Sequence, residues 1–486
     1  MNELEKLKEK TITGLFWRFG ERITAQLITF VVSIILARIL LPKEYGLIAI
    51  VMIFINIANV FVVSGLGTSL VQKKDADKQD FDTMFWASAF ISIVLYVIIF
   101  FLSPLVGKIY HNDLLVVVLR VMGLKLPIAS ISSIQQAYVS RKMIYKKFFW
   151  STLIGTLVSA VVGIYMAVKG FGVWSVVAQY LTNSIIDTLV LFITIDYRPS
   201  IYFSYKKFRT LFSYGWKIMM ASFIGTVFDQ LRGLIIGAKY SPSDLAYNNK
   251  GEQFPLLVTS NLNSAMDSVL FSSISKIQDQ KEKLKDTLKK LIKISCYILA
   301  PLLFGLSGVS KTLVIVLLTD KWLPCVPFLI IVCYQQLFSI ISTINMQAIK
   351  AIGRSDVILK LEFIKKPLYL AILAFTLFIN PLAICFGNMI YNIIALVLNS
   401  RYNKELLNYT LKEEIKDIYK YMLISFIMQI IVYLVGMLNF NIYLKLIAQI
   451  LIGIFIYVSS SKVLKLDGYN YCINFIKDLV KKKKEN

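Results

Sequence analysis

The sequence predicts an all-α polytopic membrane protein, and three observations indicate this class. Hydrophobic residues make up 57% of the 486 residues and the mean hydropathy is +0.66, whereas soluble globular chains are about 45–50% apolar. Apolar runs of membrane-spanning length, about 20 residues, recur along the whole chain. One of these runs is repeated with its motif in the second half, which predicts two homologous lobes, an arrangement common in transporters.

The apolar runs predict fourteen transmembrane helices. Their approximate limits are 14–37, 46–70, 83–105, 114–138, 149–168, 172–195, 214–238, 245–270, 290–309, 324–346, 364–380, 381–400, 418–437 and 441–460. With these spans, most of the 53 lysines and arginines fall in segments on the same side of the membrane as the N-terminus. Because positively charged loops stay inside, both termini are predicted to be cytoplasmic. The net charge of +24 then reflects topology and contact with anionic membrane lipids, and no nucleic-acid partner is predicted.

The repeated motif begins with a tryptophan and ends in a proline turn. Trp17 precedes Pro42 at nearly the same distance as Trp216 precedes Pro242, with an apolar run between them in both copies. The first and seventh spans are therefore predicted to be equivalent. The predicted organisation is an N-lobe with six spans (1–195), a cytoplasmic linker (196–213), a C-lobe with six spans (214–400), an extra helix pair (401–460) and a basic cytoplasmic tail (461–486).

The first span carries three charged residues, Arg18, Glu21 and Arg22. They lie three and four positions apart, so a helix places them on one face. A charge in hydrocarbon costs roughly 2.5–3.5 kcal/mol on insertion scales, so this face is expected to look into protein or a water-filled cavity. Arg18 is close enough to the inner end of the span to reach the headgroups, and Glu21 could serve only to neutralise the arginines.

Two further groups of charged residues lie inside predicted spans. Asp229 and Arg232 share one face of the seventh span, although Arg232 is near enough to the outer end to snorkel. Lys125 lies deep in the fourth span beside a proline. The predicted cationic cavity that binds substrate consists of Arg18, Arg22, Arg232 and Lys125, and the predicted charge partners, which could also couple transport to an ion, are Glu21 and Asp229.

Motifs for catalysis are missing from the sequence. There is no GxxxxGK[ST] loop to hold a nucleotide phosphate, no histidine cluster for zinc and no loop with paired carboxylates. The five cysteines have no metal-like spacing and are interpreted as free thiols. The sequence therefore predicts no enzyme, no cofactor and no metal site, and it indicates passage of a polar molecule through a membrane.

The N-terminal motif resembles that of a known family, the polysaccharide biosynthesis (lipopolysaccharide exporter) proteins. They belong to the multidrug/oligosaccharidyl-lipid/polysaccharide (MOP) flippase superfamily. The residues that carry this resemblance are Trp17, Leu36-Ala37-Arg38-Ile39-Leu40, Pro42, Glu44-Tyr45-Gly46, Gly65-Leu66-Gly67 and Leu70-Val71-Gln72.

The resemblance implies a MATE-like fold, in which two six-helix lobes surround a central cavity and work by alternating access. The implied substrate is an undecaprenyl-pyrophosphate-linked oligosaccharide, such as an O-unit, capsule or exopolysaccharide repeat, crossing the bacterial cytoplasmic membrane. The implied partners are H⁺ or Na⁺ as coupling ion and the polymerase and glycosyltransferases of the same pathway. The relatives use cationic cavity residues, which Arg18, Arg22 and Arg232 match by position in the helix, and the extra helix pair could form a groove for the lipid tail.

Three other functions are compared with this one. An ion-coupled multidrug antiporter of the same superfamily would favour acidic cavity residues, whereas the span interiors here hold more cations than carboxylates. A polysaccharide polymerase or ligase would need a large outer loop with charged catalytic groups, which this chain lacks. The sequence does not distinguish a flippase for the peptidoglycan lipid precursor from a flippase for other lipid-linked oligosaccharides.

Overall fold

The structure, a computed structural model, describes residues 3–275 and 280–471, and this part of the chain is almost entirely helical. A 3-10 turn, Asp320–Cys325, precedes the twelfth helix. The helices are α1 (Glu3–Ile39), α2 (Pro42–Val63), α3 (Leu66–Gln72), α4 (Lys78–Ile109), α5 (Asp113–Gly123), α6 (Lys125–Lys142), α7 (Tyr145–Val168), α8 (Val173–Thr194), α9 (Tyr205–Lys239), α10 (Pro242–Ser275), α11 (Lys281–Leu318), α12 (Val326–Ala351), α13 (Ser355–Thr376), α14 (Pro381–Leu407), α15 (Leu411–Gly436) and α16 (Ile442–Val463).

Twelve helical segments within the described residues are long and apolar enough to cross a membrane, which confirms the all-α polytopic class. Two of them are broken helices, α2 with α3 and α5 with α6. The predicted spans eight and eleven coincide with α10 and α13, which are helical but are not among the twelve. Fourteen crossings therefore stay a prediction.

Helix α13 begins earlier than the predicted eleventh span, at Ser355 instead of 364. Its first half is charged, so the hydropathy pattern did not reveal it. Glu362 pairs there with Lys365 at 3.2 Å and with Lys366 at 3.9 Å, one turn away. The next helix has a clear start, because the Asn380 side chain accepts a hydrogen bond from the backbone of the third helical residue.

The helices form two compact units, Met1–Ala246 and Tyr247–Asn486. The division falls in the first turns of α10, and α9 packs along α2, α3 and α4 in the first unit. The sequence repeat assigns α9 to the second lobe instead. The predicted lobes and their boundaries stay a prediction. Helix α9 also begins at Tyr205, inside the predicted linker, and the predicted tail lies outside the described residues from residue 472 onward.

The two copies of the motif adopt the same local structure. Helix α1 ends at Ile39 and Pro42 opens α2, while α9 ends at Lys239 and Pro242 opens α10. Proline suits the first position of a helix because its missing N–H would be unpaired there anyway. An acidic residue lies two positions after each proline and caps the start of the helix. Glu44 Oε2 accepts a hydrogen bond from the backbone nitrogen of Leu41 at 2.7 Å, and Asp244 Oδ2 accepts one from Ser241 Oγ at 2.7 Å.

Two glycines allow backbones of the first unit to approach closely. A Cβ atom on Gly46 would overlap the carbonyl group of Pro242, so one motif turn lies directly against the other. Gly65, at φ +90°, separates α2 from α3, and a Cβ atom on Gly215 of α9 would lie 2.7 Å from the Gly65 carbonyl oxygen. Both contacts require residues without a side chain.

The segment between the two repeats is fixed to the start of α4 by polar contacts. Asp82 Oδ1 accepts hydrogen bonds from Tyr197 Oη at 3.0 Å and from the backbone N–H of Ser200 at 3.2 Å. Lys207 Nζ donates to Asp77 Oδ2 at 2.5 Å, which lowers the pKa of that carboxyl group. A carboxyl group whose pKa is lowered by folding stabilises the folded state at pH values above the pKa that it has in the unfolded chain. This stabilisation is lost as the pH falls through the lowered pKa.

We expect Gly46→Ala to destabilise the protein and Gly225→Ala to leave it as stable or more so. The new methyl group at Gly46 meets backbone atoms that cannot rotate away, at a cost of about 1–3 kcal/mol. At Gly225 of α9 no atom lies within 4 Å of the added Cβ, and alanine favours a helix by up to about 1 kcal/mol. Thermal unfolding in detergent checks the pair, and equal melting temperatures would contradict the close contact.

Candidate functional site

The predicted charged face of α1 lies against α7. Arg18 Nη1 donates to Glu21 Oε2 at 3.2 Å, and its guanidinium lies over the ring of Phe148 at 4.6 Å from the centroid. The Arg18 side chain nevertheless remains 53% exposed. Arg22, one turn further along, is exposed and acts electrostatically on Glu21. The two arginines thus keep their hydrogen-bond donors accessible while Glu21 balances part of their charge.

Glu21 is the buried member of this group, with only 12% of its side chain exposed. Thr152 of α7 is a polar neighbour of Glu21, and Asp187 of α8 acts on it electrostatically. Asp187 in turn accepts a hydrogen bond from the hydroxyl of Ser151. Helices α7 and α8 can bring these groups together because Gly155 of α7 has no side chain. A Cβ atom added to Gly155 would lie only 3.2 Å from the backbone nitrogen of Asp187.

The sequence analysis did not assign Ser151, Thr152 and Asp187 to this site. The available signal was their polarity within predicted spans five and six. Their helices are far from α1 in sequence, so no local pattern could show that they face Glu21. The cluster of Arg18, Arg22 and two carboxylates can hold an anion on its guanidinium groups and take up a proton or a monovalent cation on its carboxylates.

Lys125 lies at the break between α5 and α6, away from helix α1 in sequence. Its Nζ atom is 5.3 Å from the ring centroid of Tyr180 on α8, a cation–π contact, and the side chain is half-buried. Arg120, five residues earlier, is used in packing, because its Nε donates to Ser103 Oγ at 2.9 Å. Of the two basic residues in this span, Lys125 thus remains the candidate for substrate binding.

Asp229 and Arg232 lie on one face of α9, as predicted. Asp229 is exposed and Arg232 is half-buried, and both have polar or electrostatic partners within the described structure. Their roles as charge partner and substrate ligand stay predictions.

Lys250 is a buried cation in the second unit, inside predicted span eight, that the sequence analysis did not assign to the site. It lies in α10, only 6% exposed, where its Nζ donates to Gln253 Oε1 at 3.1 Å and lies 5.8 Å from the Trp322 ring centroid. Because buried lysines in membrane helices are costly, Lys250 joins the candidates for a functional cation.

An apolar groove of 590 Å³ lies in the second unit between α11, α12, α14 and α15. Aromatic and branched side chains form its walls, among them Phe304, Phe338, Leu396, Ile415 and Phe426. Helix α15 corresponds to the first member of the predicted extra pair. A groove with almost no polar surface suits a hydrocarbon chain.

The fold is similar to those of solved membrane transporters. The inward-closed structure of the lipid II flippase MurJ matches 96% of this chain and 100% of its own, with a TM-score of 0.73 and 17% identity. An inward-facing multidrug MATE transporter of the MOP superfamily matches 79% of this chain and 94% of its own, with a TM-score of 0.60 and 13% identity. Likeness at these identities establishes the fold.

Sequence comparison establishes the family. The model of the polysaccharide biosynthesis protein family matches residues 35–327, so the chain belongs to that family. The lipopolysaccharide biosynthesis protein WzxC of Escherichia coli K12 is 25% identical over 372 residues, which cover 75% of this chain and 74% of that protein. The succinoglycan biosynthesis transport protein ExoT of Rhizobium meliloti is 23% identical over 314 residues, 64% of each chain.

We expect Glu21 to be coupled more strongly to Arg18 than to Thr152. The Arg18 guanidinium donates a hydrogen bond to Glu21 Oε2 at 3.2 Å, and an ion pair with one exposed partner contributes up to about 1 kcal/mol, whereas Thr152 contributes only as a polar neighbour. Double-mutant cycles on unfolding stability check this with Glu21→Gln, Thr152→Val and Arg18→Gln. A cycle of Thr152→Val with Arg209→Gln, at the other end of the unit's sequence, serves as a control. A larger coupling for the threonine would contradict the geometry.

Proposed function

We propose that this protein moves an undecaprenyl-pyrophosphate-linked oligosaccharide across the bacterial cytoplasmic membrane by alternating access. The observation that carries the proposal is the pair of accessible arginines, Arg18 and Arg22, on a membrane-spanning helix of a polysaccharide biosynthesis protein. A pyrophosphate offers several anionic oxygens, and guanidinium groups bind such oxygens through paired, charge-assisted hydrogen bonds. Arg232 and Lys125 are proposed as further ligands of the same substrate.

The lipid tail needs a separate, apolar place. We assign it to the groove between α11, α12, α14 and α15, whose walls offer hydrocarbon contacts and almost no hydrogen-bond partners. Each methylene group that leaves water contributes about 0.8 kcal/mol, so a polyprenyl chain has a strong preference for such a surface or for the bilayer. The functional names of WzxC and ExoT, which concern lipopolysaccharide biosynthesis and succinoglycan transport, agree with this type of cargo.

We propose that transport is driven by a coupling ion, H⁺ or Na⁺, since the sequence contains no nucleotide-binding loop. Glu21, with its neighbour Asp187, is the proposed ion acceptor in the first unit, and Asp229 is a second candidate. On this proposal the protein is a transporter and no enzyme. The glycosyltransferases and polymerase of the same pathway supply and consume its substrate.

A second candidate function is an ion-coupled multidrug antiporter. The buried carboxylate Glu21, coupled to Asp187, is the observation that favours it, because carboxylates suit cationic drugs as well as ions. A flippase for the peptidoglycan lipid precursor is a variant of the first proposal with another glycan. The three functions are distinguished by whether cells that lack the protein accumulate a lipid-linked glycan precursor, and by the identity of that precursor.

We expect Arg22→Ala to abolish glycan export while the protein still accumulates in the membrane. Arg22→Lys should retain part of the activity, because the charge survives and the two-pronged geometry is lost. Arg209→Ala, a change in a basic residue near the cytoplasmic end of α9, is the control and should export normally. Surface glycan and accumulated lipid-linked precursor are measured relative to membrane protein level. Normal export by an Arg22→Ala, Arg232→Ala double variant would refute the cationic cavity.

We expect both termini to be cytoplasmic, since basic residues concentrate in the loops on that side. Reporter fusions after Arg141 and at the C-terminus should behave as cytoplasmic, and a fusion after Lys169, between α7 and α8, as external. An external reporter at the C-terminus would require an odd number of crossings and would overturn the assigned topology.

A further inference from the structure

A cavity of about 340 Å³ lies in the first unit where three candidate membrane spans end. Its lining comes from the start of α4, the end of α6 and the segment that follows α8. Membrane spans end at the depth of the lipid headgroups, so this cavity faces the layer in which phosphate groups are concentrated. The described lining contains none of the residues assigned above to the predicted cationic cavity.

Four basic side chains line this cavity, and none of them forms an ion pair within residues 3–275 and 280–471. They are Lys78, Arg141, Lys142 and Arg198. Two carboxylates share the lining, but each is paired with a lysine outside it. Asp77 lies 2.5 Å from Lys207 Nζ, and Asp196 lies 3.9 Å from Lys147 Nζ. The four cations therefore lack a carboxylate of their own, and a concave surface with such a charge attracts anions.

The two arginines of the lining are held in place by neutral groups. Arg141 Nη1 donates to the backbone carbonyls of Leu70 at 3.0 Å and Lys73 at 2.5 Å. Arg198 Nη1 donates to the carbonyls of Ile195 at 2.5 Å and of a second backbone group at 2.9 Å. Carbonyl groups fix a guanidinium without removing its charge, and the Nε–H donor of each arginine has no partner among the described residues.

Three aromatic rings form an apolar wall of the same cavity. Tyr138 and Tyr197 are stacked at 5.7 Å between ring centroids, and Phe81 lies edge-on to Tyr138 at the same distance. The Tyr197 hydroxyl donates to Asp82 Oδ1 at 3.0 Å, which fixes this wall to α4. A rigid site loses little conformational entropy when it binds a ligand. Because small-molecule sites combine apolar walls with a few polar groups, this lining suits an organic phosphate better than the inorganic ion.

We propose that this cavity is a binding site for a phosphate ester. The phosphate group lies among Lys78, Arg141, Lys142 and Arg198, which bind its oxygens by charge-assisted hydrogen bonds, and the organic part lies against the aromatic wall. Two sources carry this chemistry, an anionic phospholipid of the adjacent leaflet and a soluble phosphate such as glycerol 3-phosphate. The depth of the cavity favours the lipid, since basic pockets between helix ends bind anionic headgroups. The site does not depend on the proposed transport function.

The test is the melting temperature of the purified full-length protein in detergent, titrated separately with phosphatidylglycerol and with glycerol 3-phosphate. A ligand that binds only the folded state raises this temperature in a saturable way, which gives its apparent Kd. The double variant Lys78→Gln, Lys142→Gln removes two exposed lining cations and should weaken binding about 10-fold or more. The matched control Lys74→Gln, Lys206→Gln removes two exposed lysines of the same unit outside the lining and should bind as the wild type does.

A saturable shift with one of the two ligands, weakened only in the lining variant, supports the proposal and identifies the source of the phosphate. If neither ligand stabilises the wild type, the proposal is wrong. Equal weakening in both double variants would also overturn it, because the overall positive charge would then attract the phosphate. Should the lining variant fail to accumulate, the single variants Lys142→Gln and Lys74→Gln provide the same comparison, since neither side chain forms a hydrogen bond or ion pair within the described residues.

Discussion

A charged group inside a membrane protein must have a partner or a route to water, and most of the polar structure of this chain follows from that constraint. In the first unit, the mostly buried Glu21 accepts a hydrogen bond from the guanidinium of Arg18 and has Thr152 as a polar neighbour. The arginines, in contrast, keep much of their surface accessible. Such a face balances its own carboxylate and still has donor capacity for a polyanionic substrate.

The second unit meets the same constraint differently. Its helices are joined by amides and hydroxyls, with Asn345, Ser400 and Glu414 in one connected network. Interhelical hydrogen bonds of this kind contribute about 1 kcal/mol each in a membrane protein, so their orientation matters more than their strength. Here the amide nitrogens of Asn399 and Asn403, on α14, donate to residues of the neighbouring helix α12.

The packing of the backbone depends on a small number of glycines. Gly46 lies against Pro242 and Gly65 against Gly215, so elements about 150 to 200 residues apart are in backbone contact in the first unit. In lipid there is little hydrophobic force between helices, and close approach through small residues supplies the van der Waals contact that holds them. The shared geometry of the two motif turns therefore has a structural role besides marking the repeat.

The sequence by itself determined the class, most helix positions and the equivalence in form of the two proline turns, because hydropathy and turn residues act within about 20 neighbouring residues. It also located Arg18, Glu21 and Arg22 on one face. Only the tertiary structure decided that Thr152 and Asp187 accompany Glu21, and that Glu414 lies buried beside Asn345 and Ser400 from two other helices. These partners are far apart in the chain, and a polar residue near a helix end has the same local pattern whether it is solvated, like Glu413, or enclosed, like Glu414. Burial by distant helices makes that distinction, and a local pattern contains no information about it.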